Sequence, residues 1–562
     1  MNAKKQSDRK RDQLFAKIDQ SIEAHRRKDY AGAITILEAI LKEFPGTKEA
    51  LNNLAVNLRA VGRIDDALKI YGELTANHPD SLDGFYNYGN ALFAVRRHSD
   101  ALEAYRAAVS LSPAHKGAAL GMVAALRALK RGEEALALLE GFARHHPGGA
   151  DLWLAFGATL FELGRFDAAI PCLRRALAIE PKNAEAAANL SIALYQRAHF
   201  VESAEKAAIG VVLQSGNLSA RAQLAQSLIA TRQYSLAREI LDDLLKAEPD
   251  HLDGRLARAR VALLQGDFRQ GWIDYEWRWK RPTADQPKFA QPRWRGENVK
   301  GKRILLWMEQ GIGDALQFIR FAKILADMGA IVSSVVHPSI VSVVSTVPGL
   351  SHVARDGGRV PEFDYHVPML SVPGILGTDL KSIPRPAAYM KIPKNVAVPE
   401  PLKSAPRDAV RVGIIWAGNP AHGNDYCRTI GLKPFLELLA QPGIRLFSLQ
   451  VGETAKELGG LRADCLIEDL GKNLKSFADT AAALGELDLL VSVDTSTIHL
   501  AGALGRPVWA LIPFAPDWRW MTDFEETTPW YPSMRLFRQS SPNRWGDVFE
   551  RIQSALRKTT GR

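Results

Sequence analysis

Residues 491–505 read VSVDTSTIHLAGALG. With the preceding LDLL (487–490), the apolar run predicts a buried strand, and the small-residue stretch carrying His499 predicts a helix that starts at once. The short polar side chains Asp494, Thr495 and Ser496 therefore fall where a strand ends and a helix begins. Open parallel sheets bind ligands at such carboxyl ends. The helix start offers free amides and a positive dipole end, an anion site typically worth ~0.3–1 kcal/mol and up to ~2 when partly buried. Helix capping by Asp494 or Thr495 is the alternative. An aspartate cap would repel a phosphate, so anion binding requires Asp494 to turn towards hydroxyls while Thr495 and Ser496 face the phosphate. His499, four residues after Thr495, points the same way one turn on; a packed helical histidine is the alternative.

Strand and helix alternate on both sides of this stretch. KRILLWMEQ (302–310) predicts a buried strand, GIGD with Gly311 and Gly313 a tight turn, ALQFIRFAKILADMGA a helix, and IVSSVVHP the next strand. Strand-like pieces follow near YHVPML and AAYMKI. A second set runs from RVGIIWAG near Val410 to PVWALIPF, and a last helix, RWGDVFERIQSALRK, is expected to pack back on the first block. Such alternation implies parallel sheets, here as two Rossmann-like halves at 303–395 and 408–557. A polar connector, 283–302, precedes them.

The residues before the connector repeat. Pro45, Pro79, Pro113, Pro147, Pro181 and Pro249 are multiples of 34 apart, with Ser215 in the missed slot. Twelve residues earlier stand Ala33, Ala67, Ala101, Ala135, Ala169, Ser203 and Ala237. Small residues let paired helices approach, and proline ends the second helix because it lacks an amide donor. Period, alanine and proline together resemble tetratricopeptide (TPR) repeats, an α-solenoid over residues 14–282. Asn53, Asn87, Asn189 and Gln223 share one repeat position. Such amides can clamp the backbone of an extended peptide in a groove, so a protein partner is expected there. Self-association of the solenoid, a homo-oligomer, is the rival reading.

Composition bounds the rest. The 562 residues carry 72 Lys/Arg and 62 Asp/Glu, a net +10 that allows anionic ligands without arguing for nucleic acid. Three scattered cysteines form no disulfide framework or zinc site. No signal peptide, membrane span or metal site is expected, which leaves the cytoplasm as the default location. No GxxxxGK[ST], HExxH or DxD occurs, and GIGD lacks the third glycine of a dinucleotide fingerprint. A bound diphosphate must therefore be neutralised by helix amides and basic side chains. Arg428, in WAGNPAHGNDYCRTIGL, is the candidate. Gln450 and Glu453, after the strand IRLFSLQ, are candidate nucleobase contacts.

EQGIGDALQFIRF, the WAGNPAHGND segment with Arg428, VSVDTSTIHLAGALGRPVWALIPF and PDWRW (516–520) resemble GT-B glycosyltransferases of the heptosyltransferase-related group. The whole chain resembles its TPR-fused members. The resemblance implies a metal-independent, inverting enzyme that needs no cofactor and takes a nucleotide sugar as donor. Asp314 of the GIGD turn would be the general base. Asp494, Thr495 and His499 match an Asp-Thr-Gly-x-x-His stretch that holds the donor, with Ser496 replacing its glycine. The implied acceptor is a protein in the TPR groove, for example flagellin. A non-catalytic scaffold that binds a sugar nucleotide, or a transferase acting on lipopolysaccharide or another glycan, are the alternatives.

Overall fold

The computed structural model describes residues 2–145, 148–284, 286–405, 409–423 and 425–559. Pro147, Asp408 at the expected start of the second half, and Asn424 lie outside the described residues. The chain divides into two compact units, Met1–Ala193 and Leu194–Arg562.

Up to Tyr275 the described chain is built of paired helices. From Tyr30 onward, the second helix of each pair starts at 30, 64, 98, 132, 166, 200, 234 and 268, a spacing of 34. Ala33, Ala67, Ala101, Ala135, Ala169, Ser203 and Ala237 are all fully buried at the closest approach of the pairs. The described prolines of the period, such as Pro45 and Pro79, stand two residues beyond a helix that ends at Glu43 or Asn77, where an amide donor is not needed. One feature of the period is not visible as a residue type. Lys28, Gly62, Arg96, Lys130, Gly164, Ala198, Arg232 and Gly266 all take a left-handed conformation, φ between 57° and 82°. Each follows the first helix of a pair. The next amide bonds back five residues, as in Asp29 N–H to Ala24 O and Arg63 N–H to Leu58 O, both 2.9 Å. This is a Schellman closure, made mostly without glycine.

Two parallel sheets follow. The strands are β1 (Arg303–Trp307), β2 (Ile331–Val336), β3 (Leu350–Arg355), β4 (Tyr365–Pro368), β5 (Val410–Ile415), β6 (Ile444–Ser448), β7 (Glu468–Asp469), β8 (Leu489–Val493), β9 (Val508–Ile512) and β10 (Met534–Arg538). The first sheet has the order β3-β2-β1-β4 and the second β10-β9-β8-β5-β6-β7, with every pairing parallel. All five residues of β8 are buried, as a strand covered on both faces requires.

The structure changes several expectations. The compact division falls at Ala193/Leu194 and not at the 283–302 connector. The last repeats and the sheets share one core: Leu241, Val261, Leu264, Phe268 and Trp272 join the apolar cluster of Leu306, Phe318 and Trp518. The Trp272 indole donates to Thr378 O at 2.9 Å. Arg278, at the end of the repeats, makes a two-pronged ion pair with Glu309 just after β1, at 2.8 and 3.0 Å. The final helix (Gly546–Thr559) does not pack on the first half. Its Val548, Phe549, Ile552 and Leu556 share a cluster with Phe435, Val491 and Leu511 of the second. AAYMKI forms no strand; the Tyr389 and Met390 amides bond instead to Ala503 O. The helix expected after GIGD is two short helices, Ile312–Phe318 and Phe321–Asp327.

Candidate functional site

Each sheet reverses its strand order once, between β1 and β4 in the first and between β5 and β8 in the second. Such switch points open a crevice at the carboxyl ends of the strands. A single cavity of about 1320 Å³ receives both: Met308–Asp314 after β1, Ala417 and Gly418 after β5, and Asp494–Thr497 after β8. The end of the repeats supplies a further wall through Arg260, Tyr275 and Arg278.

Gly311 begins the helix after β1, and its amide donates to Asp314 Oδ2 at 3.0 Å. The other Asp314 oxygen is held by Arg519, whose second nitrogen binds Asp517 Oδ1 at 2.7 Å. Burial pushes the Asp314 carboxyl above its ordinary range against the pull of Arg519. The need for Gly313 is steric: a Cβ there would come 2.9 Å from His499 Cδ2 and 3.5 Å from Ser496 Cα. The two switch-point turns are therefore in van der Waals contact.

Thr495 is the N-cap of the Ser496–Ala503 helix, but its side chain makes no capping bond. Asp494 does not cap it either, because its Oδ2 accepts the Trp520 indole N–H at 2.8 Å. Capping therefore does not account for either side chain, and the helix start lines the cavity. Burial, reinforced by Asp517, raises the Asp494 pKa to about 6. Arg428 lines the cavity beside it, donating to Asp494 O at 2.9 Å and to Asp425 Oδ1 at 3.1 Å. His499 is buried, stacked on Trp520 with ring centroids 5.6 Å apart. Its pKa is lowered to about 3 by burial and then by Arg519 and Arg320.

Gln450 lines the cavity but is occupied. Its Oε1 accepts the Trp416 and Ala417 amides at 3.1 and 3.0 Å, and its Nε2 donates to Ala417 O and Thr454 Oγ1. The side chain braces the loop after β5. Glu453 remains at the cavity rim. The expected peptide-clamping amides lie elsewhere. Asn53, Asn87 and Asn189 belong to the first unit and Gln223 to the second, all half-buried. Asn87 donates to Asn52 Oδ1 at 3.0 Å and Gln223 to Ser227 Oγ at 3.4 Å. Arg519, Asp517 and Trp520 were not singled out individually, although PDWRW was legible as a motif. Arg519 reaches Asp314 and Trp520 reaches Asp494, partners more than 20 positions away. Among the described residues, no group of three or more His, Cys, Asp or Glu could hold a metal ion, and no helix is long and apolar enough to cross a membrane.

Sequence-family models of the tetratricopeptide repeat match residues 52–119, 223–269, 92–158 and 157–197. The N-terminal part of the chain is made of TPR repeats. Among curated proteins, Protein FlbA of Caulobacter vibrioides is 28% identical over 334 residues, 54% of each chain. The chain thus spans about half the length of that relative. Among solved structures, similarity is found to YrrB, "a TPR protein with an unusual peptide-binding site", at 21% identity over 33% of this chain and 95% of that one, TM-score 0.28. It is found also to a TPR protein of Parabacteroides merdae, at 12% identity over 44% and 97%, TM-score 0.37.

Proposed function

We propose that the protein is a glycosyltransferase of GT-B architecture. It would move a sugar from a nucleotide-activated donor to a hydroxyl of a protein presented by its TPR repeats, for example flagellin. The observation that carries this reading is the convergence of two switch-point turns on one cavity. One turn carries a half-buried carboxylate held by an arginine and the other an uncapped helix start beside an arginine.

The division of labour follows from the contacts. Asp314 has one bond on each oxygen, to Gly311 N–H and to Arg519, which leaves lone pairs to accept an acceptor-hydroxyl proton as that oxygen attacks the anomeric carbon. Its raised pKa improves the driving force for the transfer. Arg519 neutralises the carboxylate between turnovers. The amides at Ser496 and Thr497, with Arg428, would take the negative charge that develops on the leaving phosphate. Charge-assisted and preorganised contacts of this kind supply stabilisation without a divalent cation.

Calorimetric titration with UDP-, GDP-, ADP- and CMP-sugars tests donor binding, and intact-mass analysis of candidate acceptor proteins tests transfer. Asp314→Ala is expected to reduce transfer by roughly 10²–10⁴-fold with donor affinity kept. Transfer at the wild-type rate by that variant would remove the base assignment.

A further inference from the structure

The helix Leu252–Leu264, in the last repeats, carries three arginines that meet different partners. Arg255 and Arg258 both pair with the buried Asp274, at 2.8 and 2.6 Å. Arg260 meets no carboxylate at bonding distance among the described residues. It gives one N–H to Tyr195 OH at 2.9 Å and one to Pro516 O at 3.3 Å, both neutral oxygens. A guanidinium has five N–H donors and keeps its charge, so three donors remain, along with a charge that no carboxylate touches. The side chain is half-buried and lines the cavity, a setting in which charges are ordinarily paired.

The other arginines of the cavity wall are engaged or solvated. Arg278 grips Glu309, Arg519 is shared by Asp314 and Asp517, and Arg281 is exposed. Arg428 binds Asp425 and Asp494 O. Arg260 is tied to the turn that carries Arg428. Tyr426 OH donates to Tyr195 O at 2.9 Å, and Tyr426 and Cys427 share an apolar cluster with Tyr195 and Ala515. All of these residues belong to the unit Leu194–Arg562. Burial pushes the Cys427 thiol up to about 11, with the Arg260 and Arg428 guanidiniums both pulling it down.

We infer that Arg260 is a phosphate contact lent by the repeats, the second cation, with Arg428, for the diphosphate of the donor. This contact rests on the nucleotide-sugar reading of the cavity. Asp494 and Asp517 line the same space and repel a diphosphate. Arg428 already spends a donor on Asp425. The helix amides and Arg428 therefore leave negative charge uncancelled, and a fork free of carboxylates meets it with charge-assisted bonds.

Displacement calorimetry on full-length protein compares three probes: the nucleoside diphosphate that the donor panel selects, its bare nucleoside, and inorganic pyrophosphate. Arg260→Gln is expected to weaken the diphosphate roughly 10–100-fold and to leave the nucleoside unchanged. Arg260→Lys, which keeps the charge and loses the fork, should fall between. Unchanged diphosphate binding in Arg260→Gln overturns the contact. So does an equal loss of nucleoside and diphosphate, which marks a structural residue and not a phosphate contact. If circular dichroism shows that the Gln variant does not fold, the Lys variant decides. A several-fold loss confined to the diphosphate supports the contact, and no such loss overturns it. If no member of the panel binds wild-type protein, the nucleotide-sugar reading falls by itself. Pyrophosphate binding that Arg260→Gln abolishes then keeps the phosphate site; pyrophosphate binding that is absent, or indifferent to that change, removes the site as well.

Discussion

Asp494 and His499 are five residues apart and titrate in opposite senses because burial acts against whichever form is charged. The folded protein holds the Asp494 proton up to about pH 6, against 3.8 for the exposed group. Asp494 thus stabilises the fold most below pH 3.8, and that contribution is lost as pH rises through 6. His499, lowered to about 3 from 6.5, contributes stability above 6.5 that is lost as pH falls towards 3. Asp494→Asn keeps an acceptor for the Trp520 indole and removes the first term. It is expected to be more stable than wild type at pH 7, with the gap closing by pH 4, as read from urea unfolding at both pH values. Gln450 makes a separate case. Removing its amide in Gln450→Ala leaves the buried Trp416 and Ala417 amides without their acceptor, a loss of about 1–3 kcal/mol. The same unfolding measurement checks it.

At the scale of elements, the repeat is defined by closures and close approaches more than by its prolines. Lys130 is exposed and held at φ 62°, where a side chain costs roughly 1–2 kcal/mol. Lys130→Gly should recover part of that, about 1 kcal/mol, and raise the thermal midpoint. The opposite change is expected at Gly89. A Cβ there would stand 2.7 Å from the Tyr105 ring, and that ring is pinned between Gly89 and Gly121 and bonded to Asn90. Gly89→Ala should therefore destabilise by about 1–3 kcal/mol, the cost of overpacking. Thermal unfolding of the two variants side by side distinguishes conformational relief from steric strain. The αL positions escaped notice in the sequence because Lys, Arg or Ala stands at most of them, whereas the helix pairs were legible from period alone.

At the scale of the whole molecule, the repeats do not stop being structural where the sheets begin. Phe268 and Trp272 share a core with Phe318 and Trp518, and Arg232 donates to Phe514 O and Gln539 O at 3.0 and 3.2 Å. A fragment beginning at residue 184 is expected to fold cooperatively and stay soluble. One beginning at 283, the start of the polar connector, is expected to aggregate, because it bares that aromatic core. Gel filtration and circular dichroism of the two fragments check this.

The sequence alone determined the 34-residue helical period, the parallel alternation of the second half, and the places of Asp494 at the end of a strand and Asp314 in the turn after one. These are local properties: periodicity and turn chemistry are written in neighbours a few residues apart. Only the tertiary structure decided that Arg519 grips Asp314, that Trp520 takes Asp494 away from a capping role, that Gln450 is spent on the backbone and that the last repeats wall the cavity. Those partnerships join residues tens to hundreds of positions apart, and packing, not pattern, sets them.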